Sequence, residues 1–372
     1  MPVRIAAARR SPFAGTDGAL GGWHPVDLAA TLMNATVADP AIIDEVWLGC
    51  TEPVGAQGAD MARAAILTAG WPDRIGGTVV DRGETSGTAA LHAACAALEA
   101  GDIGRAVVVG VCSASVVAPG ASALARTYGR PWGDGPATRV EGEGGLLPAP
   151  AAADRAATAA GIGRTEQDEW TTGSHERRGL LAPATIEPVD ARPGERAAIQ
   201  RGTPITADVL RVPPEDPAAM PPSFDPAGTV TGFTFSPPAD GVTVIELTTA
   251  EAEGRPRITA RARSAGHPLD PTGDAAAAIR VALQSAGLPL TAITRWEVAE
   301  PTAAATLLVI ERAGLDPERV NIAGGALAVG DTAAAEELRL VVDGVGHAGA
   351  GDVVGCVAFG PTGAAVTILA CP

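Results

Sequence analysis

Thr78-Val-Val-Asp-Arg-Gly-Glu-Thr-Ser-Gly87 passes from a strand-like run through a glycine-containing turn into the alanine-rich helix Thr88 to Ala100, and Arg105-Ala-Val-Val-Val-Gly110 follows as a second strand. Arg319 to Phe359 repeats that order and ends in Gly351-Asp-Val-Val-Gly-Cys-Val-Ala-Phe359. The flanks repeat it too: Asp44-Glu-Val-Trp-Leu-Gly-Cys-Thr-Glu-Pro53 is answered by Ile293-Thr-Arg-Trp-Glu-Val-Ala-Glu-Pro301, each a buried strand ending on a polar pair. Such an echo implies a duplicated α/β unit with two facing turns, and the residues on those turns decide what the protein does.

A chain of 372 residues with 46% hydrophobic content is long enough for a large core. Its apolar runs are short and broken by Gly, Pro or charge, so none reaches the ~20 residues of a membrane helix. The start, Met1-Pro-Val-Arg-Ile-Ala-Ala-Ala-Arg-Arg10, lacks the apolar block of a secretory signal and reads as an opening strand. Five cysteines without metal-ligand spacing fit a reducing compartment, so the expectation is a cytoplasmic protein with no membrane partner and no bound metal. A formal charge of −16 without clustered Arg argues against nucleic acid. Lysine is absent, which excludes a Schiff base, a pyridoxal phosphate anchor and a P-loop.

The organisation read from the sequence has four segments. Residues 1–118 form the first part of the N-terminal half. Residues 119–229, rich in Pro, Gly, Arg and acidic residues with one clear helix ending near Gly179, form an inserted loop or lid domain. Residues 230–265 supply return strands that complete the N-terminal half, and 266–372 form the C-terminal half, which closes with a hairpin across Gly360-Pro-Thr-Gly363.

Along essentially its whole length the chain resembles the thiolase superfamily. The resemblance is carried in order by Ala8-Arg-Arg-Ser-Pro-Phe13, Asp44 to Gly49, the turn Asp81 to Gly87, Gly179-Leu-Leu-Ala-Pro183 with Ile186-Glu-Pro-Val189, and Asn321-Ile-Ala-Gly-Gly-Ala-Leu-Ala-Val-Gly330. It implies a duplicated five-layer αβαβα fold with an inserted loop domain. It also implies a homodimer or homotetramer that handles a coenzyme A thioester as substrate or ligand, with no covalently bound cofactor.

The family's catalytic positions map onto this chain as follows. The nucleophilic cysteine sits where a helix N-terminus favours a thiolate; here that position is Glu84. The asparagine of the Asn-Glu-Ala-Phe motif, which holds an oxyanion-hole water, corresponds to Ala299, while its glutamate is kept as Glu300, either ordering the pocket or purely structural. The histidine of the Gly-His-Pro motif corresponds to Asp331. Gly266-His267-Pro268 has the right letters but precedes the helix 273–286 and not the Gly-Gly turn. The C-terminal cysteine corresponds to Cys356, readable as a reactive thiol or as a buried strand residue.

Glu84, Glu300 and Asp331 thus bring like charge to one pocket, where a carboxyl pKa rises and a shared-proton acid/base site becomes feasible. Two functions follow as expectations. The first is a non-catalytic thioester binder, a pseudoenzyme paired with an active thiolase homologue or a small accessory protein. The second is a divergent acyl-CoA acyltransferase, hydrolase, decarboxylase or retro-aldolase using Glu84, Asp331 and Cys356. Arg126, Arg130, Arg139, Arg155 and Arg164 are candidate contacts for CoA phosphates, with solvated surface arginines as the other reading.

Overall fold

The computed structural model describes residues 2–124, 133–140, 142, 148–180, 185–195, 197–251 and 253–372. Arg126, Arg130 and Trp132, and part of the Gly179 to Pro183 passage, lie outside the described residues. The first half contains β1 (Val3–Arg10), β2 (Ala14–Gly15), α1 (Pro25–Thr36), β3 (Glu45–Gly49), α2 (Met61–Thr68), β4 (Gly76–Val80), α3 (Ser86–Ala100) and β5 (Arg105–Ser113). The insertion holds α4 (Ala121–Leu124), α5 (Gly135–Arg139), α6 (Ala149–Ala160), α7 (Arg164–Leu180) and the two-residue strands β6 (Val189–Asp190) and β7 (Pro204–Ile205). Then come β8 (Ala239–Thr248), β9 (Arg257–Ser264), α8 (Pro271–Ala286), β10 (Arg295–Val298), α9 (Ala303–Ala313), α10 (Ala326–Val329), α11 (Ala334–Gly346), β11 (Val353–Gly360) and β12 (Gly363–Ala370).

The echo seen in the sequence is a repeat in space. Strands β3, β4 and β5 pair in parallel around α2 and α3, and β10 pairs in parallel with β11 around α9 and α11. In the second half the counterpart of β4 shrinks to one bridge, Trp296 to Val320. All the longer strands join in the order β10-β11-β12-β9-β1-β8-β5-β3-β4, because β1 pairs with both β8 and β9 and links the halves.

Three apolar clusters divide the layers. Helices α1 and α2 pack on β3, β5 and β8, and helices α8 and α9 pack on β9 to β12. Helices α3 and α11 lie between the two strand layers and touch both. That is the duplicated five-layer αβαβα arrangement. A helix covered on two sides needs small side chains, and α3 meets this with Gly, Ala, Ser, Thr or Cys at seven of its ten buried positions. Gly87 on α3 and Gly110 on β5 let the start of α11 in. A Cβ at either would come 2.2 Å from the Ala334 carbonyl oxygen.

The other central helix carries charge into the core. Arg339 forms a two-pronged pair with Glu336 (2.6 and 2.7 Å) and donates to Asp343 at 2.8 Å. Arg178 of α7 donates to Asp343 at 2.8 Å and to Asp208 at 2.6 Å. Arg10 at the end of β1 reaches Asp208 at 2.6 Å and Asp343 at 3.1 Å. Burial works against ionising Asp208 and Asp343, but the guanidinium groups outweigh it and hold both carboxyls well below the ordinary range. The three guanidinium groups match the three carboxylates, and the network ties β1, the loop domain and α11 together.

The insertion is more helical than its sequence suggests, since α6 accompanies the foreseen α7. Arg164 clips the loops below α7 by donating to Asp168 at 2.8 Å, to Met220 O at 2.9 Å and to Pro217 O, so its guanidinium is committed inside the domain. No helix among the described residues is long and apolar enough to cross a membrane.

Glu297 on β10 is fully buried, and both its oxygens lack a hydrogen-bond partner among the described residues. Burial, resisted by nearby Arg339, lifts its carboxyl to about 8. The folded state therefore holds this proton above the ordinary pKa of 4.5. The stability linked to it is complete below that ordinary value and is lost as pH rises toward 8, at about 1.4 kcal/mol per pH unit. Glu297→Gln, which cannot ionise, should gain on the wild type between pH 5 and 8 in parallel denaturant titrations. A pH-independent difference between the two would contradict this.

Candidate active site

The two turns of the repeat meet at the N-terminus of α3. Asp81 to Thr85 forms a tight loop in which Gly83 takes a positive φ of 54°. Ser86 locks it: its hydroxyl donates to Gly83 O at 2.6 Å and accepts from Arg82 N at 2.8 Å. The exposed Glu84 side chain lies across the β11–β12 hairpin, where a Cβ on Gly360 would fall 2.4 Å from its own Cβ. Thr362 Oγ1 stands 3.0 Å from both Glu84 Oε2 and Arg82 O, and its one proton serves one of them at a time.

Asp331 comes from the second turn. Its backbone is clamped to the strand-like run before β8, with Asp331 N donating to Pro237 O and Ala239 N donating to Asp331 O, both at 2.8 Å. Its Oδ1 accepts from Ala333 N at 2.7 Å. Ala333 itself sits at φ 47° and ψ −119°, a conformation that favours glycine and that the carboxylate contact helps to hold. Burial first, then Glu336 and, across the gap, Glu84, lift the Asp331 carboxyl to about 6. Glu84 and Asp331, one from each half of the repeat, are thus close enough for the charge of Glu84 to raise the Asp331 carboxyl.

Glu300 lies deeper. Only 1% exposed, it accepts from Trp170 Nε1 (3.1 Å) and Asn321 Nδ2 (2.8 Å) on one oxygen, and from Ser174 Oγ (2.9 Å) and Leu327 N (3.2 Å) on the other. Gly325 packs on the carboxylate so closely that a Cβ there would come 2.5 Å from Oε2. With four donors on its two oxygens, Glu300 joins α7, α10 and the turn at Asn321, and has no lone pair left for a substrate. Ala299 lies just before it at the end of β10, with its N–H donating to Val357 O at 2.9 Å.

Cys356 is not brought to this place. It lies on β11 four residues before Gly360, about 13 Å along the strand at the usual rise per residue. Its thiol donates to Leu340 O of α11 at 3.4 Å within the central core, and burial pushes its pKa well up. The reading of it as a packed strand residue is the one that fits this position. His267 stays on the loop between β9 and α8, its Nδ1 accepting from Leu269 N at 3.4 Å.

Two site groups were not anticipated. Cys112 on β5 has its thiol pKa pushed well up by burial first and then by the charge of Asp331. Glu337 on the first turn of α11 accepts from Thr88 N of α3 at 2.7 Å. The signal for Glu337 was present in Glu336-Glu-Leu-Arg339, where two acids face an otherwise apolar helix start. Among the described residues no group of three or more His, Cys, Asp or Glu is placed to hold a metal ion.

Residues 3–251 match the thiolase N-terminal domain and residues 255–367 the thiolase C-terminal domain. The chain is 30% identical over 364 residues to the acetyl-CoA acetyltransferase of Escherichia coli, covering 91% of this chain and 90% of that protein. It is 33% identical over 336 residues to a 3-ketoacyl-CoA thiolase of Shewanella loihica, covering 84% of each. Among solved structures it resembles a thiolase of Ascaris suum in complex with coenzyme A, with a TM-score of 0.86 at 22% identity and all of both chains covered. An acetyl-CoA acetyltransferase of Syntrophomonas wolfei gives a TM-score of 0.82 at 23% identity, covering 99% and 98% of the two chains.

Truncating Glu300 strands four donors, three of them in fully buried bonds. Glu300→Ala should lower folding stability by about 3–5 kcal/mol, read as a shift in the denaturant midpoint, whereas Cys356→Ala should cost less than half as much. Equal costs would refute the assignment of Glu300 as the structural tie.

Proposed function

Because the chain belongs to the thiolase family, we propose that it is an enzyme acting on acyl-coenzyme A thioesters, an acyltransferase whose proton transfers run through Asp331 beside Glu84. The expectation of a non-catalytic thioester binder, and the designation pseudoenzyme with it, is corrected by the relatives. Identities of 30% and 33% extend over 84–91% of this chain, and the proteins matched are an acetyl-CoA acetyltransferase and a 3-ketoacyl-CoA thiolase. That full-length likeness is the observation that carries the reading.

In the proposed reaction a 3-ketoacyl-CoA and free CoA exchange an acyl group. Asp331 takes the proton of the CoA thiol, and the thiolate adds to the C3 carbonyl. The C2–C3 bond then breaks, leaving a new acyl-CoA and the enolate of the departing thioester. Asp331 returns its proton to C2 of that enolate, so one carboxyl both accepts and donates, as a group with a pKa near the working pH can. Glu84 stands at the position that the family resemblance gives to a nucleophilic cysteine, and its place here is to orient the thioester at the mouth of the site. Cys356, deep in the core, has no part in the step.

A base that must be ionised gives an activity that rises with pH through the Asp331 value of about 6. The protein should bind CoA and convert a 3-ketoacyl-CoA and CoA into two acyl-CoA products, seen by calorimetry and mass spectrometry on the same samples. Asp331→Asn should reduce kcat/KM by about 10²-fold or more and abolish the acid limb. Binding without turnover of any acyl-CoA offered would overturn the proposal. We further propose self-association, supported by the family resemblance and by β4, whose outer edge is unpaired among the described residues; sedimentation of the purified chain tests it.

A further inference from the structure

We propose that Glu337 is a positioning residue of this site: its carboxyl group, seated under the first turn of α3 and holding one proton, sets the charge beside Asp331 and keeps α3 aligned with the turn that carries Asp331. The inference rests on the reading of Asp331 as the base.

The geometry leaves the Glu337 carboxyl little choice. Its residue is 4% exposed, one oxygen accepts from Thr88 N at 2.7 Å, and the other has no partner among the described residues. Two contacts force it there, since Gly87 and Gly110 admit the Ala334 carbonyl at the start of α11 and so press the first turns of α11 and α3 together. The groups facing this pair of carboxyls are Glu84 from the turn before α3, Glu336 and Arg339 from α11 itself, and Cys112 from β5.

Of these only Arg339 is cationic, and its guanidinium is already taken up by Glu336 and Asp343. Among these described groups no cation is left over for a second buried carboxylate, and an uncompensated buried charge is far more costly than a neutral carboxyl. One proton must therefore stay with Asp331 and Glu337. Each carboxyl accepts a main-chain N–H at 2.7 Å, Asp331 from Ala333 and Glu337 from Thr88, so exposure decides between them: Asp331 is partly open to solvent, where a charge is tolerated better, and Glu337 is enclosed. The difference in their pKa values runs the same way: burial lifts Glu337 to about 8 and Asp331 only to about 6.

Between those values Glu337 is neutral and Asp331 ionised. Above about 8 Glu337 ionises as well, and a second negative charge then opposes the enolate and oxyanion that form beside Asp331.

The test compares the wild type with Glu337→Gln, whose neutral amide still accepts from Thr88 N. Glu337→Met serves if the amide variant does not fold. The profile of kcat/KM with a 3-ketoacyl-CoA should keep its acid limb in Glu337→Gln and lose the fall above pH 8. The ratio of variant to wild-type kcat/KM should then be about tenfold higher at pH 9 than at pH 7. A second readout needs no turnover. The denaturant midpoint of the variant should gain on that of the wild type between pH 5 and 8, a difference in which the Glu297 contribution cancels. If no acyl-CoA is turned over, the proposed reaction fails and the denaturation difference still decides whether Glu337 holds a proton. Turnover with an unchanged alkaline fall, or a midpoint difference independent of pH, overturns the inference.

Discussion

The buried network of Arg10, Arg178 and Arg339 with Asp208, Asp343 and Glu336 is the constraint on which the rest of the molecule depends. Its members come from the first strand, the inserted domain and the last helix, and none of these elements can shift without unpairing a charge in the core. Removing one partner of such a network leaves a charge that water cannot reach, typically a cost of 3–5 kcal/mol. The network therefore fixes α11, and α11 fixes both the turn that carries Asp331 and the position of Glu337 under α3. Charge buried in the core thus sets the geometry of the turn that carries Asp331.

The fold was legible because duplication and hydrophobic period are written in the chain. The buried runs Val46 to Gly49, Val107 to Val111 and Val354 to Phe359 announce strands, and the alanines of α3 announce a helix covered on both sides. That Glu84 and Asp331 lie on corresponding turns was also legible, since each lies at the same place on one copy of the repeat. What the sequence could not show was depth. Glu300 and Cys356 are near the turns in sequence order, but hydrogen-bond count separates the first from the pocket and strand length separates the second. Glu337 escaped notice because its partner Thr88 is 249 residues away, joined by a contact that only the packing of α11 on α3 creates.

The site itself is an arrangement of like charges at graded depth. Glu84 is exposed, Asp331 half-buried and Glu337 enclosed, and the pKa values rise with enclosure from Asp331 to Glu337. Desolvation thus sorts chemically similar groups into different protonation states at one pH, the condition under which carboxyls alone can serve as both acid and base.

One carbonyl oxygen, that of Ala334, stands against both Gly87 and Gly110. Two positions distant in the chain are therefore answerable to a single atom, and their tolerance of change is shared. If that oxygen were displaced to admit a methyl group at one glycine, most of the room for a methyl at the other would open with it. The costs of the two substitutions would not add, and a lineage that had accepted the first would find the second easy. The close approach of α11 to α3 is in this sense a joint inheritance of two residues, lost or kept together.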